Sequence, residues 1–275
     1  MSAAPATGAP AAGAAATGVN LAALVQHLDD LLRTREVPDY SGAMNGLQVA
    51  NSGRVDRVAV AVDFSRAAVE QAVVAGAGLL VVHHGMFWGG AQAVVGPAYE
   101  RLRLVFAHDL AVYASHIPLD LHPTLGNNVL LANELGLAPS GGFARFKTVD
   151  VGVRGEADDL ETAALAARAT AFGRQWGHVL RHTPIAPGRR TRRWGLCTGA
   201  GASSETLAEA GAMGLDTLVV GEGPHHTAVE AAERGIVVLY AGHYATETLG
   251  VRAVGAEVER TFGVPWTFVG QPTGL

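Results

Sequence analysis

The sequence predicts an α/β protein of two lobes, the second inserted before the C-terminal helix of the first. Three observations carry that expectation. Continuous apolar runs such as LLVV (79–82), TLVV (217–220) and IVVLY (236–240) read as strands buried on both faces, since a strand with one wet face alternates. Segments of helical spacing separate these runs, the order of a largely parallel sheet covered by helices on both sides. The α/β order of the first half returns in the second without a fixed-period repeat. A chain of 275 residues, 49% hydrophobic, is long enough for two modest cores.

Residues 1–18, MSAAPATGAPAAGAAATG, are rich in Ala, Gly and Pro and read as a disordered tail. They lack the positive n-region and Leu-rich h-region of a signal peptide. The first lobe is expected over 19–140 plus 243–275. It starts with the helix VNLAALVQHLDDLLRT, with Asn20 as its cap. SGAMNGLQVA (41–50) is a turn into a short strand, and DRVAVAVD (56–63) is a strand. SRAAVEQAVVAGA is a helix capped by Ser65, and GLLVVH (78–83) is the next strand. Pro97 opens the helix PAYERLRLVFAHD. LAVYASH (110–116) is a strand, and LGNNVLLANELGL is a helix closed by Gly136.

The second lobe is expected over 141–242, its first strand beginning at FKTVDVGVRG (146–155). A helix near 157–172, strands near 178–183 and 192–198, and a helix near 203–213 follow. LDTLVVGE (215–222) and GIVVLYAG (235–242) are buried strands flanking the helix HHTAVEAAER. The chain then returns to the first lobe with a helix over 243–262 and the strand WTFVG (266–270).

Composition excludes several functions. The net charge of −5 gives no general attraction to nucleic acid or anionic membranes. The one basic run, RRTRRW (189–194), reads as a solvated loop before a strand. A single cysteine, Cys197, rules out a disulfide framework and reads as a small core residue. No apolar run reaches the length of a membrane span, so the cytoplasm is the expected location.

In open parallel sheets, ligands bind beyond the carboxyl ends of the strands. Six of the 11 histidines lie at such exits: His83, His84, His116, His225, His226 and His243. His27, His108, His178 and His182 read as structural or exposed. Adjacent strand residues face opposite ways. His83 and His84 therefore share one site only if the backbone leaves β geometry, which a positive φ at Gly85 would permit. Alternatively they straddle the strand end and face different ions. Pro118 is expected to keep SHIPLD (115–120) non-helical, with His116 and Asp120 on one side of an extended segment. His243 and Glu247 are i and i+4 on a helix, one turn apart on one face. Imidazole with carboxylate suits Zn, Fe, Mn, Co or Ni. The candidates His83, His84, Asp120, His243 and Glu247 exceed what one catalytic ion takes from protein. Two divalent ions about 3.5–4 Å apart, sharing a carboxylate, would use all of them.

The stretches NGLQV (45–49), VVHHGMFWGG (81–90), HIPLDLHPTLGNN (116–128), CTGAG (197–201) and AGHYATE (241–247) resemble the Nif-three-like proteins in their order and wording. These are also called dinuclear metal centre hexameric proteins or GTP cyclohydrolase I type 2 homologues. The resemblance implies two metal ions per chain on His83, His84, Asp120, His243 and Glu247. Glu247 would bridge, with His84 and Asp120 on one ion and His83 beside His243 on the other. It leaves His116 either supporting Asp120 or touching the metal site, and His122 shaping its loop. Glu222 and His226 become candidates for lining the pocket. It further implies a homohexameric ring with the metal sites facing an internal cavity, and a small-molecule substrate.

The activity implied is a metal-dependent hydrolase. With GTP as the nucleotide, activated water would attack C8 of guanine, opening the imidazole ring and releasing formate, with His116 or His226 relaying protons. The alternative is a non-catalytic metal-binding, scaffold or regulatory protein with the same ligands. No P-loop sequence is present. CTGAGASS (197–204) reads either as a phosphate-accepting strand-to-helix turn or as a tight turn alone.

Overall fold

The computed structural model describes residues 18–90 and 92–275, so the tail expected over 1–18 lies, except for Gly18, outside the described residues. The first lobe opens with a short strand β1 (Val19–Asn20) and helix α1 (Leu21–Leu32), whose N-cap Asn20 accepts from the Ala23 amide at 3.2 Å. There follow β2 (Gly46–Val49), β3 (Arg54–Val55), β4 (Val58–Asp63), α2 (Arg66–Val74), β5 (Leu79–His84), α3 (Gly96–Ala107) and β6 (Ala111–Ala114). Ser65 caps α2 through the Ala68 amide at 3.0 Å, and Pro97 stands in the first turn of α3. Next come α4 (Ile117–Asp120) and α5 (Asn127–Glu134).

The second lobe holds β7 (Gly141–Phe146), β8 (Val149–Glu161), α6 (Thr162–Arg174), β9 (Arg181–His182), β10 (Arg190–Cys197), α7 (Ser204–Ala212), β11 (Thr217–Val220), α8 (His225–Glu233) and β12 (Val237–Tyr240). Helix α9 (His243–Phe262) and β13 (Trp266–Phe268) close the chain.

The strands form two main sheets. The first runs β13-β4-β5-β6-β2, parallel except for β2 on β6. The second runs β7-β8-β10-β11-β12-β9, with a parallel centre and antiparallel flanks. The insertion is topological: β13 returns to pair with β4 after the whole second sheet is complete. No helix among the described residues is long and apolar enough to cross a membrane.

The two-residue period of the strands sorts the first core. Val60, Val81 and Tyr113 face α1 and α9, against Leu24, Leu28, Val254 and Val258. Their neighbours Ala61, Val82 and Val112 face α2, against Ala68 and Val69. Each fully buried Leu or Val contributes about 1.5–3 kcal/mol relative to exposure. The second sheet divides likewise, Leu196 and Val219 packing on Leu165 and Phe172 of α6, Leu218 and Val220 on Leu207 and Ala210 of α7. Helix α5 packs into the second core, and α9 serves both. Leu131 and Leu135, on and just after α5, join the second core, as does Ala245 near the start of α9, whereas Val251, Val254 and Val258 of α9 fill the first.

Three local expectations are corrected. SHIPLD is not extended: Ile117–Asp120 is a helical turn, with the Asp120 amide donating to the His116 carbonyl at 3.0 Å. Pro118 sits in the first turn, where its missing N–H has no helical partner to lose. His116 and Asp120 still share a side, now through i,i+4 spacing. The helix expected from 157 begins at Thr162, because β8 continues through its polar residues to Glu161, paired with β10. The β7 strand, GGFARF, precedes the first strand expected in this lobe and forms a hairpin with β8.

Candidate metal centre

Parity explains the paired histidines. His83 continues the 79, 81 series toward α9, and His84 continues the 80, 82 series on the other side. At the strand end both rings turn around one carboxylate. His83 Nε2 lies 3.5 Å from Glu247 Oε1, and His84 Nε2 lies 3.4 Å from Glu247 Oε2. Of the two arrangements open in the sequence, the histidines straddle the strand end. No positive φ is needed at Gly85. Its missing side chain instead makes room for Gln48, whose Oε1 accepts from the Met86 amide at 2.9 Å.

Glu247, 2% exposed, also meets His243 Nε2 at 3.2 Å across one turn of α9. Asp120, delivered by α4, places Oδ2 3.6 Å from His83 Nε2. Five side chains from three distant stretches therefore converge. His116 joins them: the ligand-capable atoms of His83, His84 and His116 lie within 4.8 Å of one another, as do those of His84, His243 and Glu247.

Each histidine is held from behind. The Nδ1 atom donates to the Ser115 carbonyl from His83 at 2.9 Å, to Asp63 from His84 at 2.8 Å, to Asp39 from His116 at 2.9 Å and to Glu222 from His243 at 2.8 Å. Those acceptors fix the tautomer and leave Nε2 as the inward atom, the usual support of a metal-ligating imidazole. Asp120 Oδ1 accepts from Asn127 Nδ2 at 2.8 Å, which leaves Oδ2 free.

The donors fit a divalent cation. Buried His83 Nε2 and Glu247 Oε2 have no hydrogen-bond partner, a state that carries a penalty unless something satisfies them. Two donors each about 2.0–2.1 Å from one tetrahedral ion stand roughly 3.4 Å apart, close to the separations seen around Glu247. In the ion-free chain, protons do the neutralising. Burial opposes a charged His83, but Asp120 and Glu247 outweigh it and push it up to about 10. Burial likewise opposes protonation of His243, yet Glu247 and then Glu222 raise it to about 9. Burial would raise the Glu247 carboxyl; the surrounding histidines hold it well below the usual carboxylate range.

His83 stands beside Asp120, and His84 stands beside His243, with Glu247 between the two pairs. The sequence indicates which residues meet at a strand edge, but not which lone pair faces which.

The second lobe shapes the other side. Gly199, at φ +61°, passes so close to Glu247 that a Cβ there would lie 2.2 Å from Oε1. Its amide donates to Thr246 Oγ1 at 3.1 Å, and the Thr198 amide donates to Asn128 Oδ1 at 2.8 Å. CTGAG is thus a tight turn fitted around the carboxylates. Above the centre opens a cavity of about 650 Å³, walled by Tyr40, Trp88 and Phe146 and reaching Ser203 at the start of α7.

His226 does not reach this cavity. Thr227 turns inward, bonded to the Pro224 carbonyl and to Tyr240, and leaves His225 and His226 exposed on the outer face of α8. Glu222 lies behind His243 rather than in the main cavity. His122 shapes its loop as expected, accepting from the Leu125 amide at 3.0 Å. Cys197 is buried, and Arg190 of the basic run pairs with Asp159 at 2.5 Å.

Sequence reasoning passed over Asp39, Asp63, Asn127 and the aromatic wall. Asp63 had a signal, since it ends β4 in register with His84. Asp39 had none: it comes from a loop and reaches His116 across 77 residues. Burial opposes its charge, but the hydrogen bond and charge of His116 hold it below the usual carboxylate range.

The Duf34/NIF3 (NGG1p interacting factor 3) family model matches residues 19–273. The chain belongs to the Duf34/NIF3 family. A Deinococcus radiodurans protein called GTP cyclohydrolase 1 type 2 homolog is 42% identical over 253 residues, 92% of this chain and 93% of that protein. A Halobacterium salinarum protein of the same name is 40% identical over 259 residues, 94% of this chain and all of that one. Among solved structures, protein ybgI, described as of unknown function, superposes with a TM-score of 0.84 at 30% identity, over 94% of this chain and 100% of that one. TTHA1606 from Thermus thermophilus gives 0.79 at 34%, with the same coverage. The Duf34/NIF3 fold is thus matched across both lobes.

Proposed function

We propose that this chain is a metal-dependent hydrolase acting on a small molecule, with two divalent ions held at the strand edge of the first lobe. The observation that carries the reading is the Glu247 carboxylate, buried and met within 3.5 Å by the Nε2 atoms of three histidines whose Nδ1 atoms are all committed elsewhere. His83 with Asp120 would hold one ion, His84 with His243 the other, and Glu247 would span both. The donor set suits Zn, Fe, Mn, Co or Ni. When bound, such a pair lowers the pKa of coordinated water toward neutrality and polarises an electrophile.

The chain's own residues do the rest. Ser115, Asp63 and Glu222 orient the ring ligands, and Asn127 orients Asp120. His116, fixed by Asp39 with Nε2 free beside the cluster, is placed to move a proton between the centre and a ligand in the cavity. The nominal reaction is the one in the relatives' name: opening of the guanine imidazole ring of GTP with release of formate. A homohexamer in the cytoplasm is part of the same proposal, on the family resemblance.

Metal counting on chain purified without added metal tests the first half, with two ions per chain expected. A panel of nucleotides and phosphoesters, with and without chelator, tests the second. Formate from GTP, lost on chelation, supports the nominal reaction. Two ions with silence across the panel would overturn the hydrolase reading in favour of a metal-binding scaffold.

A further inference from the structure

The cavity above the centre has flat apolar walls that the first and second lobes build jointly. Tyr40, from the loop before β2, and Phe146, at the end of β7, bring their ring centroids to 4.6 Å. Trp88 lies 6.2 Å from Tyr40 and stands edge-on to His116 at 4.6 Å. Tyr40 is 53% and Trp88 39% exposed, so these rings spend their surface on the cavity rather than on a core. At about 650 Å³ the space falls within the range of small-molecule sites, roughly 300–1,000 Å³. Aromatic walls of this kind take a planar ring face-on or edge-on.

Apart from the proposed ions and Lys147, whose Nζ stands 5.1 Å over the Phe146 ring, the side-chain charges around the same space do not favour a polyphosphate. Arg145 is the one guanidinium among the described lining residues, and Asp150 already engages it at 2.9 Å. Glu205 and Glu209 line the cavity as well. The start of α7, where a phosphate would otherwise dock, is closed: Ser203 Oγ accepts from the Thr206 amide at 3.1 Å, and Glu205 occupies the first turn.

We propose that the cavity selects a planar, uncharged heteroaromatic ring, at the level of a nucleobase or nucleoside, and disfavours the same ring carrying a triphosphate. Tyr40 and Phe146 are the specificity-determining residues. The inference rests on the reading that the cavity serves the metal centre, but it concerns binding and is separable from turnover.

Titration of the metal-loaded full chain with guanosine and with GTP, followed by Trp fluorescence and calorimetry, tests it. Guanosine should bind at least as tightly as GTP. Tyr40→Ala and Phe146→Ala should each weaken guanosine by about tenfold or more, with metal content unchanged, and Tyr40→Phe should restore binding. The double variant Glu205→Gln, Glu209→Gln should gain affinity for GTP and leave guanosine unchanged. GTP binding ten times tighter than guanosine, or guanosine binding indifferent to Tyr40→Ala, would overturn the proposal. Guanosine bound in this pattern, with silence across the panel of nucleotides and phosphoesters, supports it while sinking the hydrolase reading. A phosphoester turned over by a chain that does not bind the ring compounds does the reverse.

Discussion

The two sheets meet the same cavity with the carboxyl ends of their parallel strands, yet they contribute opposite things. The first lobe brings donors: Asp63, His83, His84, His116 and Asp120 all sit at the ends of β4, β5 and β6 or one turn beyond. The second lobe brings mainly shape: Thr198 and Gly199 after β10 supply backbone and close approach, with Glu222 as a rear support for His243. The fold rule that ligands gather at strand exits holds for both sheets. What it leaves open is division of labour, with one edge doing chemistry while the other moulds the space around it.

The comparison breaks most visibly at the residue both edges enclose. Glu247→Ala should abolish loading of both ions, read by elemental analysis; a variant that still carries two ions per chain ends the idea of a shared carboxylate. Asp120→Ala tests the first edge alone and should lose mainly the ion beside His83, leaving about one per chain. Gly199→Ala tests the second edge with a single methyl group. The added Cβ meets both a positive φ and the Glu247 oxygen, so destabilisation of roughly 1–3 kcal/mol is expected along with weakened metal binding. Unchanged melting and metal content would show that the turn has slack. Asp63→Ala removes only the rear support of His84. A loss of about 10- to 100-fold in metal affinity is the usual scale for such partners; a competition assay with a chromophoric chelator reads it.

Legibility in the sequence followed the same divide. Buried strands, their order and the full extent of α9 could be read from apolar runs and helical spacing, because those patterns are local. That His83, His84, Asp120, His243 and Glu247 converge was legible because the strand exits share one edge of the sheet. What escaped depended on contacts that spacing does not encode. Asp39 reaches His116 from a loop, Phe146 reaches Tyr40 from the other lobe, and the pairing of His83 with Asp120 depends on side-chain parity at one strand end. His226 failed for a helical reason: once Thr227 is buried, the residue before it points outward. Pro118 misled because proline forbids the middle of a helix but suits its first turn.

Helix α9 belongs to neither half alone. Near its start Ala245 is packed in one interior, its later turns are sealed in the other, and His243 and Glu247 sit in its first two turns. A rod anchored at both ends in this way makes melting a joint event. Heating should therefore give one calorimetric transition rather than two, and stripping the cations should lower that single midpoint instead of splitting it.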